Sequence, residues 1–401
     1  MPQSLPRGIH DVLPQDARER RRISSEITEC LFSHGYEPVV LPLFELSNVA
    51  DAALGTLDPT DVLRFVEPDS GEIASLRADM TPQVARLVAT RLSRFPGPYR
   101  IATEGIVVRR RAGRARKHRQ LAQVGAELIG APGEDADLEA ITVACESVRR
   151  AGLRSFVLEL SHAGVVSALL GDATTDVRAE VLLALAKKDV ARVNLAARGL
   201  AHAKELVALC HTFGGQGALE KATNLLDGTP AREAIAELGR IVARAEREGV
   251  APRIACDPGE VRHFAYYTGM RFSLFAEGPG EPLGGGGRYD TLTAMFGATL
   301  PAVGFALNPD HLAWALEHER GGAERCLHAH GGVVLVELLR SKATVLRNAG
   351  FRVVVMPDGE RARAYAAAWG YSFVVAEDGV LGEVAQARTQ DAETLRSLLG
   401  S

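Results

Sequence analysis

The repeat of apolar and polar positions changes period several times along this chain. Residues 15–33 place apolar side chains every three to four positions, the spacing of an amphipathic helix, and Gly35 closes the run. Residues 37–43 are extended in character, with interruptions at Pro38 and Pro42. Strand patterns follow at 62–66, 73–76, 99–108 and 121–129, with a helix predicted over 81–93. A further amphipathic helix spans 135–151, and a strand 155–159. From 161 to 248 β-rich runs disappear, and Ala, Leu, Arg and Glu recur at helical spacing with Gly171, Gly199 and Gly228 as punctuation. Strand character returns at 253–256 and 270–275, so this helical stretch interrupts one sheet instead of separating two. Beyond a linker over 319–332, apolar runs at 333–336, 353–356 and 373–376 alternate with helical patterns, which predicts a small parallel α/β unit. The expectation is an α+β protein: an antiparallel sheet core with flanking helices over 1–160 and 249–318, a helical insertion over 161–248, and an α/β C-terminal domain over 333–401.

Composition narrows the function. A chain of 401 residues exceeds what one hydrophobic core supports, in keeping with that division. The net charge of -4 argues against a general nucleic-acid or anionic-membrane binder, while leaving room for a local basic patch. Cys30, Cys145, Cys210, Cys256 and Cys326 are scattered and odd in number, with no CxxC pair, which fits reduced thiols better than a disulfide framework or a zinc site. The first residues have neither a basic-then-apolar signal nor an amphipathic leader, and no run approaches the roughly 18 apolar residues of a membrane helix. A soluble cytoplasmic protein without metal or cofactor is expected.

Candidate chemistry gathers in three places. Gly284, Gly285, Gly286 and Gly287 stand together before Arg288, Tyr289 and Asp290, shortly after Arg262, Tyr266 and Tyr267. Consecutive glycines let a backbone approach a ligand, and tyrosines supply flat walls with hydroxyl tips, a combination that suits an imidazole. A Gly-rich stretch standing alone also serves as a turn or bulge. Asp79 and Thr81 precede a helix with Pro82 in its first turn, so either can cap it, and a carboxylate facing a pocket there pairs with an ammonium. Strand alternation puts Gln123, Gly125 and Glu127 on one face. The basic run from Arg109 to Arg119 reads either as a solvated hairpin tip or as a seat for an anionic ligand or acidic partner.

Four separated segments, together covering about residues 6 to 312, resemble the class II histidyl-tRNA synthetase family. They are Pro6 to Pro14, Leu76 to Arg86, Glu104 to Gly130, and the tyrosine and glycine segments followed by Val303 to Leu312. The resemblance implies a class II synthetase-like antiparallel sheet and assigns Asp79 to the histidine ammonium. It also assigns Thr81, Arg109, Gln123, Glu127, Arg262, Tyr267 and Tyr289 to the histidine pocket, with Arg262 beside the carboxylate. The nucleotide side departs from the family pattern. Arg111 stands where a glutamate meets adenine, Leu121 where an aromatic stacks, and Lys117 where an arginine holds phosphates. Asn308, Asp310 and His311 stand in place of the family's Gly-x-Glu-Arg.

A kept amino-acid pocket beside an eroded adenylation site is similar to the regulatory subunit of ATP phosphoribosyltransferase, a paralogue of the synthetases. That resemblance implies a non-catalytic role in the first step of histidine biosynthesis, feedback sensing of L-histidine, and partnership with a short-form catalytic subunit. It further implies a self-dimer through the class II core, assembly as a hetero-octamer, and no membrane or tRNA partner. The alternatives are an active histidyl-tRNA synthetase, for which the C-terminal domain is short, and an amino-acid-adenylating enzyme serving another carrier. Both need the ATP contacts that are missing.

Overall fold

The computed structural model describes residues 5–47, 62–110, 118–261, 267–321, 332–357, 359–375, 381–383 and 389–400. The chain divides into two compact units, Met1–Gly322 and Ala323–Ser401.

The first unit is built on an eight-stranded sheet. Its strands are β1 (Glu37–Val39), β5 (Tyr99–Val108), β6 (Gln120–Ile129), β7 (Val157–His162), β8 (Arg253–Cys256), β9 (Met270–Phe275), β10 (Gly284–Arg288) and β11 (Ala302–Leu307). They lie in the order β1-β5-β6-β11-β10-β9-β7-β8. The interior pairs are antiparallel, and the two edge pairs, β1 with β5 and β7 with β8, are parallel. A smaller antiparallel sheet joins β2 (Phe44–Leu46), β3 (Arg64–Val66) and β4 (Ile73–Leu76) in the order β2-β4-β3. The extended run expected over 37–43 shortens to β1. Pro38 lacks an N–H, so this segment pairs on one side only, at the sheet edge.

Two long helices cover one sheet face. Helix Pro14–Ser33 starts on a proline, carries Asp16 in its first turn, and buries Ile23, Ile27, Cys30 and Leu31 along one stripe. Helix Gly133–Arg150 has Glu134 and Asp135 at its start and Arg149 and Arg150 at its end, each matched to the helix dipole. Val124, Ala126 and Leu128 of β6 pack against these helices in the main hydrophobic cluster. Gln123, Gly125 and Glu127 therefore face the other way.

The helices between β7 and β8, from Ala163–Leu170 through Arg232–Arg247, form the crossover that a parallel strand pair requires. Val165, Leu185, Leu206, Leu238 and Ile241 belong to the same cluster as Leu158, Leu160 and Phe272. The helical segment thus shares the core of the sheet it interrupts. The helix expected over 81–93 is an α-helix at Thr81–Leu87, continued by a wider π turn at Val88–Leu92.

In the second unit, β12 (Gly332–Val336), β13 (Arg352–Met356), β14 (Phe373–Val375) and β15 (Leu381–Glu383) run in the order β13-β12-β14-β15. Val333, Leu335 and Phe373 face one apolar cluster, while Val334 and Val374 face another with Ala362 and Ala366. Both faces are covered, as parallel sheets require. The last strand, β15, pairs antiparallel with β14, so the unit is not wholly parallel as expected. Among the described residues no helix is long and apolar enough to cross a membrane.

Candidate functional site

The strand register places the candidate residues in rows across the sheet face opposite the two long helices. Glu127 pairs with Gly304, Gly304 with Gly287, and Gly287 with Arg271, giving one row over β6, β11, β10 and β9. The neighbouring row is Gly125, Ala306, Gly285 and Ser273. The second row has almost no side chain above it and forms the floor of a cavity of about 290 Å³, at the small end of ligand sites. The first row closes one end.

Glu127 is only 4% exposed and Tyr289 1%. Thr81 Oγ1 donates to Glu127 Oε1 at 2.5 Å, and the Tyr289 hydroxyl donates to Oε2. Burial pushes the Glu127 carboxyl up to about 8, the two hydroxyl donors pull it down, and the negative charge of Asp79 adds to the rise. Burial and the adjacent Glu127 charge hold the Tyr289 phenol well above its usual range. A cationic or N–H-bearing ligand would relieve this carboxyl.

The glycines have two jobs here. A Cβ on Gly304 would collide with Glu127 Oε2, and one on Gly287 would come within 2.9 Å of the Tyr267 ring, so each glycine lies beneath a pocket side chain. A Cβ on Gly284 or Gly286 would instead strike a carbonyl of β11, and on Gly285 it would stand 2.5 Å from the Phe272 carbonyl. The four-glycine strand is needed for its neighbours' close approach as well as for an open floor.

Of the residues expected in the pocket, Asp79, Thr81, Arg109, Gln123 and Tyr267 line the cavity. Glu127 and Tyr289 lie buried behind Thr81 through the hydrogen bonds just described. Arg262 lies outside the described residues, as do Arg111, Lys117 and Cys326. Asp79 Oδ1 accepts from the Thr81 N–H at 3.3 Å, while Met80 occupies the cap position with no side-chain cap. The expected capping by Asp79 or Thr81 is thereby corrected to a turn that holds the Asp79 carboxylate at the helix start. Arg109 Nε donates to the Ala78 carbonyl at 3.3 Å. Gln123 Oε1 is buried and accepts from no described residue, so it is available to a ligand donor.

Of the lining residues not anticipated from sequence, Arg271 is the charged one most deeply buried. Arg271 is 6% exposed, lines the cavity, and stands 4.9 Å over the Tyr267 ring. Its strand alternates Met270, Phe272 and Leu274 with Arg271 and Ser273, which reads as a half-solvated strand. The usable signal was that Arg271 shares the parity of Ser273 on a strand next to the glycine run.

The opposite end of the cavity is tied up in structural bonds. Asn308 Oδ1 accepts from the N–H groups of Asp310 at 3.0 Å and His311 at 3.2 Å, capping helix Pro309–Glu319. Asp310 receives a two-pronged bond from Arg20 Nε at 2.7 Å and Nη2 at 2.8 Å. His311 Nδ1 donates to the Pro282 carbonyl at 2.6 Å, its ring stacks on Trp314 at 5.3 Å, and its Nε2 lies 3.8 Å from Glu281. Leu121 also lines this end. The hairpin carrying the basic run is closed by Arg109 N–H to the Arg119 carbonyl at 2.8 Å, and Arg119 N–H reaches the Gly8 carbonyl at 2.9 Å. The Pro6 to Pro14 segment therefore sits against this hairpin. Cys30, His34 and Glu146 bring ligand atoms within 4.8 Å of one another, but none of them lines the cavity.

The arrangement can hold a small zwitterion with a polar ring: carboxylates at Asp79 and Glu127, guanidinium groups at Arg109 and Arg271, and tyrosine walls. At the opposite end, Asn308 caps its own helix, Asp310 is held by Arg20, and His311 is held by the Pro282 carbonyl.

Comparison with known proteins shows the family to which this chain belongs. The family model for histidyl-tRNA synthetase matches residues 8–312. An ATP phosphoribosyltransferase regulatory subunit of Anaeromyxobacter dehalogenans is 38% identical over 339 residues, covering 82% of this chain and 97% of its own length. One from Moorella thermoacetica is 36% identical over 381 residues, covering 92% of this chain and 95% of the relative, so that match extends into the second unit. A crystal structure of an ATP phosphoribosyltransferase regulatory subunit/histidyl-tRNA synthetase from Bacillus halodurans superposes with a TM-score of 0.76 at 27% identity, covering 91% of this chain and 96% of that one. A histidyl-tRNA synthetase from Nostoc has the same fold, with a TM-score of 0.76 at 19% identity over 99% of both chains.

Proposed function

Because the chain belongs to the ATP phosphoribosyltransferase regulatory subunits, within the histidyl-tRNA synthetase family, we propose that it is the regulatory subunit of that enzyme. In this reading it is required for the first step of L-histidine biosynthesis and binds histidine as a feedback signal. It performs no chemistry itself. One contrast carries the reading: polar groups at the amino-acid end remain open to a ligand, whereas Asn308, Asp310 and His311 at the nucleotide end are spent on a helix cap, an Arg20 fork and a backbone carbonyl.

Asp79 takes the ammonium, Gln123 and Arg109 the polar end, Glu127 with Tyr267 and Tyr289 the ring, and Arg262 the carboxylate. In this reading the chain comprises a class II core over 1–160 and 249–318, a helical insertion over 161–248, and a C-terminal α/β domain over 333–401. Self-association through the class II core is supported by the apolar surface of the small sheet. Phe44, Phe65, Val66 and Ile73 are exposed there, with Phe44 and Phe65 packed edge to face at 5.3 Å. Dimers of this kind would join short-form catalytic subunits in a cytoplasmic hetero-octamer. Histidine can regulate that assembly only by binding two of its states with different affinity.

The test is paired. Calorimetry should detect histidine binding, and histidine-dependent exchange of labelled pyrophosphate into ATP should be absent. Clear exchange would restore the synthetase reading.

A further inference from the structure

Resting on the reading of the cavity as a histidine site, we infer that Arg271 contacts the ligand and donates to the unprotonated nitrogen of its imidazole, so that Glu127 and Arg271 together select the neutral ring.

Arg271 is 6% exposed, yet it makes no hydrogen bond or ion pair with a described residue. Its Nε and Nη1 are both buried and lack acceptors, and its one contact of note is the Tyr267 ring at 4.9 Å. A guanidinium cannot shed its charge, and burying it without an acceptor costs stability. The cavity it lines is where an acceptor can arrive.

Position on the sheet says which part of the ligand brings that acceptor. Arg271 and Glu127 stand at the two ends of one cross-strand row, with only Gly287 and Gly304 between them. This row is the more buried end, with the Tyr267 ring over Gly287 and the Tyr289 hydroxyl on Glu127, while Gln123 lies one position beyond Val124, the partner of Leu307, and so toward Asn308. An amino acid whose charged backbone end reaches Gln123 therefore directs its ring into the row. A neutral imidazole carries one N–H donor and one bare nitrogen. Glu127 accepts the N–H, since two hydroxyl donors leave lone pairs on its carboxylate, and Arg271 supplies an N–H to the bare nitrogen. An imidazolium would aim a second N–H at the guanidinium, and a hydrocarbon ring would leave both groups unmet.

The experiment uses the full-length wild-type chain, Arg271→Met and Arg271→Gln, with calorimetry and thermal melting in L-histidine and in L-histidinol, which keeps the ring and amine but has no carboxylate. Arg271→Met is expected to melt no lower than wild type without ligand, because the buried unpaired charge is gone. It should bind histidine and histidinol more weakly by a similar factor, roughly tenfold or more, and Arg271→Gln should also lose affinity for both. Wild-type affinity in either variant would overturn the assignment while leaving the histidine pocket standing. Loss for histidine alone would move Arg271 to the carboxylate and overturn the ring contact. An unliganded Arg271→Met that melts well below wild type would make Arg271 a structural residue. A wild-type chain that gives no heat with histidine would remove the pocket reading itself.

Discussion

The Glu127 carboxylate lies directly over Gly304 on the adjacent strand, in the space a side chain there would need. This buried acid behind Thr81 thus has room because position 304 is a glycine, with Thr81 and Tyr289 holding its two oxygens. Gly304→Ala is expected to displace the carboxylate, weaken histidine binding more than tenfold, and cost about 1 to 3 kcal/mol of stability through overpacking. Calorimetry and urea unfolding read the two effects separately. A variant with unchanged affinity would place Glu127 outside the binding site.

Glu127→Ala should leave a folded protein and reduce histidine affinity by about 1.5 to 3 kcal/mol, one to two decades in Kd, the worth of a hydrogen bond to a charged group. Unchanged affinity in the folded variant would remove Glu127 from the pocket assignment.

Burial raises the Glu127 carboxyl from 4.5 to about 8, and this has a signature in the ligand-free protein. Between those values the folded state holds a proton that the unfolded chain has released. Stability from this group is therefore complete below 4.5 and lost as pH rises toward 8. Urea unfolding from pH 5 to 8.5 should show wild type losing stability relative to Glu127→Gln, which cannot titrate. Parallel pH profiles for the two proteins would contradict this.

His311→Arg should not restore adenylation, although it returns the side chain expected at that position. Asp310 is still forked to Arg20, and Leu121 still lines that end. Histidine-dependent pyrophosphate exchange is expected to stay at background in this variant. Measurable exchange would show that one residue, not the whole end of the cavity, had disabled the nucleotide site.

The partnership has its own test. Mixed with a short-form catalytic subunit, the chain should co-elute as a large complex and raise its activity, and histidine should then inhibit it. Substrates favouring the active state must weaken histidine binding by the factor by which histidine weakens theirs. Phe65→Asp should disrupt self-association, with sedimentation reporting smaller species. Components that stay separate on gel filtration, with catalytic activity indifferent to this chain, would leave a histidine binder without a regulatory role.

Local pattern alone determined a good deal of this protein. Period-two alternation was enough to put Gln123, Gly125 and Glu127 on one face, and helical spacing over 15–33 anticipated Pro14–Ser33, because strand parity and helix stripes are written in near neighbours. The departures at Leu121, Asn308, Asp310 and His311 were equally visible as residue types. Tertiary structure decided what those residues do. His311 spends its ring on the Pro282 carbonyl, and Asp310 is gripped by Arg20, 290 positions away in sequence. It also decided that the helices after β7 share the sheet's core, and that β15 reverses direction. Arg271 shows the limit most clearly: a polar residue on alternate strand positions ordinarily faces water, and only the cross-strand row through Gly287 and Gly304 turns that face into the closed end of a cavity. Periodicity specifies which side of an element a residue occupies, whereas what covers that side depends on strands brought together from distant parts of the chain.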